Sequence, residues 1–119
     1  MKFNLDEESY AITKKIYKAR ADIAKALAHK TRLEIIDILR DEGDKCVCEL
    51  TENLDVSQST VSKHLSILKK VGILNSEKEG LNVTYSLQTP CINRFFECLD
   101  NILQEDLKRR EKELKLGGK

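Results

Sequence analysis

Residues 56–72 read VSQSTVSKHLSILKKVG, a short polar lead-in followed by a segment with two chemically different faces. Val61, Leu65 and Leu68 recur at helical spacing, which gives one stripe able to pack on a core. Ser57 stands where a helix cap belongs. Gln58, Ser59, Thr60, Ser62, Lys63 and His64 crowd the first two turns with hydrogen-bonding groups. That combination is expected of a helix that reads base edges in the major groove of DNA. Upstream, Val47 to Leu54 predicts a second short helix, joined through Asp55, Val56 and Ser57 at helix-turn-helix spacing.

The charge distribution supports this placement better than the total does. Over 119 residues the net charge is only +1, which by itself gives no sign of a nucleic-acid partner. From Lys30 to Val56 acidic residues outnumber basic ones, whereas from Ser57 to Lys78 the cations Lys63, Lys69, Lys70 and Lys78 face only Glu77. Positive charge therefore gathers where a phosphate backbone would lie, with Lys69 and Lys78 as further candidate contacts.

The length is one domain's worth, 1–119, and short for an enzyme with a deep cleft. No apolar run approaches the ~20 residues of a membrane span. Asp6, Glu7 and Glu8 interrupt any signal-peptide core, so a cytoplasmic location without membrane association is expected. In a reducing cytosol the four cysteines remain thiols, which favours metal binding or redox sensing over a disulfide framework. No paired-carboxylate, nucleophile-elbow or Gly-rich phosphate-loop pattern occurs, and an enzyme is not expected.

Working outward, Glu7 to His29 predicts a first helix and Leu33, Ile35, Ile36 and Leu39 the apolar face of a second, which stops near Gly43. After the helix-turn-helix, at about 47–71, two short strands fall within about 73–88, linked by Glu79-Gly80-Leu81. Thr89-Pro90 opens a long terminal helix, about 91–113. Ile92, Phe95, Phe96, Leu99, Ile102, Leu103 and Leu107 form its continuous apolar stripe, long enough in so small a protein to ask for a second copy as partner.

Taken together these elements describe a mainly α winged helix-turn-helix with a small β wing, dimeric through its terminal helices. The sequence resembles the ArsR/SmtB family of small dimeric repressors over roughly Ala21 to Leu103. Three segments carry the likeness: Ala26 to Ile36 (ALAHKTRLEII), Cys46 to Leu50 (CVCEL) and Ser57 to Leu65 (SQSTVSKHL). The resemblance implies a homodimer that sits on double-stranded operator DNA and lets go when a thiophilic metal or metalloid binds its cysteines. CVCEL is similar to the metal motif of the family's arsenic and cadmium sensors. The place of the third cysteine of the arsenic sensors, three residues after Cys48, is Thr51. The zinc and nickel sensors use histidines on the last helix, and between Cys91 and Lys119 there is none.

Cys46 and Cys48 are thus the core of the expected metal site, with Cys91, at the start of the last helix, as candidate third thiolate. Cys98 is expected in the core or the dimer seam. Trivalent arsenic or antimony is the favoured inducer, because three thiolates satisfy it; cadmium, lead or zinc would want more donors. No organic cofactor is implied. In a regular helix, residues two apart point about 200° from each other. Ligation by both thiols is therefore expected to unwind the first turn of the helix leading into the reading helix. Two alternatives remain at this point: a thiol redox sensor on the same fold, and a DNA-binding or protein-interaction module without an inducer.

Overall fold

The computed structural model describes residues 7–117, with side chains to residue 115. Helices α1 (Glu7–Leu27) and α2 (Lys30–Glu42) lead to a two-residue strand β1 (Lys45–Cys46). The helices α3 (Val47–Asn53) and α4 (Gln58–Lys70) follow, then the wing strands β2 (Leu74–Glu79) and β3 (Asn82–Leu87), and last α5 (Ile92–Gly117). Residues up to Gln88 form one compact unit and those from Thr89 a second, which is the terminal helix with its lead-in. Among the described residues no helix is long and apolar enough to cross a membrane.

The core of the first unit forms where apolar positions at helical spacing converge. Ile35, Ile36 and Leu39 of α2, Leu50 of α3, and Val61, Leu65 and Leu68 of α4 are buried, together with Ala26, Leu27, Leu54, Ile73 and Leu74. Each such aliphatic side chain larger than alanine contributes about 1.5–3 kcal/mol by leaving water, and together they fix α4 against α2 and α3. The reading helix is closed at both ends by local chemistry. Ser57 Oγ accepts from the Thr60 N–H at 3.3 Å. At the other end Gly72, at φ +87°, reverses the chain. Gly72 N–H then reaches Lys69 O at 3.0 Å and Ile73 N–H reaches Leu68 O at 3.1 Å, the paired bonds of a Schellman motif.

The sheet is three-stranded and antiparallel in the order β1-β3-β2. The hairpin runs from the Leu74–Leu87 pair to the Glu79–Asn82 pair. Gly80, at φ +62°, takes the first central position of the turn, as a Gly-X two-residue hairpin requires. β1 is an element the sequence pattern does not announce. Lys45 pairs with Tyr85 and Cys46 with Thr84, so the residue opening the CVCEL motif is tied to the wing.

In the second unit, Ile102, Leu103, Leu107 and Leu114 of α5 are 58–75% exposed. The opposite charges of this helix pair with each other. Asp106 binds Arg109 and, at 2.9 Å, Arg110 Nε, while Lys108 lies 3.8 Å from Glu105. The helix runs to Gly117, four residues beyond the end expected from its apolar stripe.

Candidate nucleic-acid interface and thiol pair

On α4 the residues 59, 62, 63 and 66 share a helical face, and Gln58, Ser59 and Lys63 are exposed there while Ser62 and Thr60 are half-buried. Ser57 is spent as the cap, and its hydroxyl also donates to Thr60 Oγ1 at 2.9 Å and lies 3.1 Å from Ser59 Oγ. The first turn is thus a linked set of hydroxyls, presenting Gln58, Ser59 and Lys63 outward. Lys69 is exposed in the last turn, at the far end of the helix, where it also complements the carbonyl end of the dipole. Lys78 is exposed on β2 between Glu77 and Glu79, opposite Val83.

His64 corrects the expectation of a DNA contact. Its side chain is 7% exposed and turns inward, because it shares the helical stripe of Val61 and Leu68. Arg32 Nε donates to His64 Nδ1 at 3.1 Å, and the His29 ring stands 4.4 Å away, tilted by 49°. Burial, followed by the nearby His29, Arg32 and Lys63, lowers the His64 pKa below its ordinary value and favours the neutral imidazole that this bond needs. His29 caps α2 by accepting from the Thr31 N–H at 3.1 Å. Arg32 also donates through Nη1 to Ala26 O at 3.2 Å and Lys25 O at 3.5 Å, holding the last carbonyls of α1. This knot between α1, α2 and α4 was legible in one respect: Arg32 lies three, four and seven residues before Ile35, Ile36 and Leu39 and so belongs to their inward face.

The thiol pair also departs from the helical expectation. Cys46 is not in the helix but is its N-cap, extended at φ −86°, ψ 169°. Cys48 is the second helical residue. Both residues line one cavity of about 160 Å³, one from just before α3 and the other from its first turn. Gln58, the first residue of α4, lines the same cavity, as do Leu81 and Asn82 of the wing. Glu49 Oε1 accepts from the Cys46 N–H at 3.1 Å. That backbone bond, and after it the Cys46 thiol, holds the Glu49 carboxyl below the usual carboxylate range. Cys46 is half-buried and Cys48 exposed, and all four cysteines are free thiols. Cys91 and Cys98 both belong to the second unit and are exposed in the single chain, so Cys98 is not in the core of its own chain. Among the described residues, no three His, Cys, Asp or Glu side chains are gathered in a group that could hold an ion.

Residues 29–76 match the family described as "Bacterial regulatory protein, arsR family". The chain is 34% identical over 102 residues to a Staphylococcus aureus cadmium resistance transcriptional regulatory protein CadC homolog, covering 76% of this chain and 84% of that one. It is 44% identical over 63 residues to the arsenical resistance operon repressor of Escherichia coli K12, covering 53% and 54% of the two chains. Among solved structures it is similar to a homodimeric winged helix-turn-helix DNA-binding domain from Mycobacterium bovis, at TM-score 0.70 and 26% identity over 82% of this chain and 89% of that one. The winged helix-turn-helix of residues 30–87 and these likenesses together show that the chain belongs to the arsR family of bacterial regulatory proteins, DNA-binding transcriptional regulators rather than enzymes.

Proposed function

We propose that the protein is a homodimeric repressor that holds operator DNA through α4 and the wing and releases it when a thiophilic metal or metalloid binds Cys46 and Cys48. The observation that carries this reading is the shared cavity: two thiols and the first residue of the reading helix line one space. An ion seated there acts on the DNA-reading element without a relay through the core. Gln58, Ser59, Thr60, Ser62 and Lys63 are assigned to the DNA surface and Lys78 to the wing's phosphate contact. Ser57 orders that surface as its cap. The exposed stripe of α5 supplies apolar area that a second copy would cover. The homodimeric state of the M. bovis domain supports the same arrangement.

Nuclease protection on DNA upstream of the protein's own gene tests the reading. A symmetric pair of protected half-sites one helical turn apart, or a multiple of that spacing, is expected. Protection should vanish on adding cadmium or arsenite to the reduced protein. Protection of a single half-site, or a footprint indifferent to both ions, would overturn it.

A further inference from the structure

The thiol cavity supplies two sulfur donors, and the question is what completes the coordination of an ion there. Beyond Cys48, α3 carries no further thiol, and the residue one turn on is Thr51. Glu49 is committed to the Cys46 backbone, and among the described residues no third His, Cys, Asp or Glu joins the pair. What the lining adds is two residues that carry carboxamides, Gln58 at the start of α4 and Asn82 at the first position of β3, just past the wing turn.

We propose, resting on the reading that Cys46 and Cys48 bind a thiophilic ion, that the side-chain oxygens of Asn82 and Gln58 are its remaining protein ligands. The resulting set of two thiolates and two oxygens suits a divalent d¹⁰ cation such as cadmium. Such an ion has no electronic preference against tetrahedral geometry and accepts mixed sulfur and oxygen donors. Two thiolates also balance its charge, and ligation releases two protons to solvent with no change of oxidation state. Trivalent arsenic is selected against, because it forms three bonds to sulfur and an amide oxygen does not replace a thiolate in that role.

The placement of the amides gives the ion its leverage. β1 already ties Cys46 to the wing through its pairing with Thr84. An ion bridging Cys46 and Cys48 to Asn82 would draw the wing turn toward α3, and its bond to Gln58 would hold the first turn of α4 to the same point. Both DNA-facing elements are thus read by one coordination sphere, and α3 keeps its fold. Gln58 and Asn82 are both exposed, which leaves their amides free to turn toward the cavity they line.

The test is a titration of the reduced full-length protein with cadmium. It is followed by the sulfur-to-cadmium charge-transfer absorption, with affinity set by competition against a chelator. Wild type is expected to show the band of two thiolates, and Cys46→Ser with Cys48→Ser to lose it; a band that survives in that variant overturns the thiol reading itself. Asn82→Ala should keep the full band at saturation but bind at least about tenfold more weakly, the scale on which even residues behind a ligand alter metal affinity. Asn82→Asp, which offers a charged oxygen at the same place, should bind more tightly than wild type. Equal affinities of wild type, Asn82→Ala and Asn82→Asp, with the two-thiolate band intact, overturn the amide proposal alone. So does a band of three thiolates whose third component disappears in Cys91→Ser. Circular dichroism of each variant confirms that the wing substitutions leave the helices in place.

Discussion

Replacing Arg32 by alanine isolates the knot that seats the reading helix. The guanidinium Nε–H goes to the buried Nδ1 of His64 at 3.1 Å. Removing it strands an acceptor away from water, which costs about 1–3 kcal/mol. The Nη1 bonds to Ala26 O at 3.2 Å and Lys25 O at 3.5 Å are partly exposed and the second is long. Together they add about 1 kcal/mol. Arg32→Ala should therefore destabilise the protein by about 2–4 kcal/mol, summing those two contributions. Arg32→Lys should recover only part, since one ammonium cannot reproduce a planar fork spanning α1 and α4. The assay is urea unfolding followed by circular dichroism, with protein concentration held fixed because dimerisation contributes to the apparent stability. A double-mutant cycle with His64→Ala should return a coupling of about 1–2 kcal/mol, the scale for groups in direct hydrogen-bond contact. A loss under about 0.5 kcal/mol, the range of ordinary surface changes, or strict additivity in the cycle, would refute the inward placement of His64. The DNA side provides an independent check: His64→Gln keeps an acceptor for Arg32 and should leave operator affinity and its salt dependence unchanged.

Three further outcomes follow from the same geometry. The His64 pKa is lowered in the folded protein, by burial first and then by His29, Arg32 and Lys63. Below about pH 6.5 the unfolded chain therefore takes up the proton before the folded one does, and stability falls as pH drops through that range. The urea midpoint should show this decline, His64→Gln should flatten it, and an equal slope in both proteins would contradict it. Lys63→Ala should weaken operator binding and reduce the slope of log affinity against log salt by about 1, the counterion share of one phosphate; an unaltered slope removes Lys63 from the backbone. Gly72→Ala meets no atom within 4 Å, so its cost is that of the left-handed backbone alone. It should amount to about 1–2 kcal/mol in urea unfolding, and a neutral substitution would argue against the Schellman closure of α4.

The elements that sequence made legible are those whose signal is local. Ser57 followed by Val61, Leu65 and Leu68 carries its own cap and its own period, and α4 forms as that pattern demands. Gly80 ahead of the alternating run Val83, Tyr85 and Leu87 announces the wing turn in the same way. Two features were less legible for opposite reasons. His64 sits three residues after Val61 and four before Leu68, which marks the inward stripe, but its polar chemistry suits a DNA contact equally, and only the tertiary bond from Arg32 decides between the two. β1 was not readable: a two-residue strand has no period, and Cys46 is extended only because Thr84, 38 residues away in sequence, pairs with it. The thiol geometry followed from that. Measured along a regular helix, Cys46 and Cys48 diverge; with Cys46 outside the helix, they line one cavity. That Gln58 and Asn82 line the same cavity depends on tertiary contact alone, since neither neighbours Cys46 or Cys48 in sequence.

Fluorescence anisotropy of the reduced dimer on its own promoter DNA, titrated with cadmium and, separately, with arsenite, reads the coupling between thiols and DNA without intermediates. Release by cadmium is expected at close to one ion per Cys46–Cys48 pair, lost in Cys46→Ser, with arsenite the weaker effector. Tight DNA binding that neither ion disturbs at stoichiometric amounts would contradict that coupling.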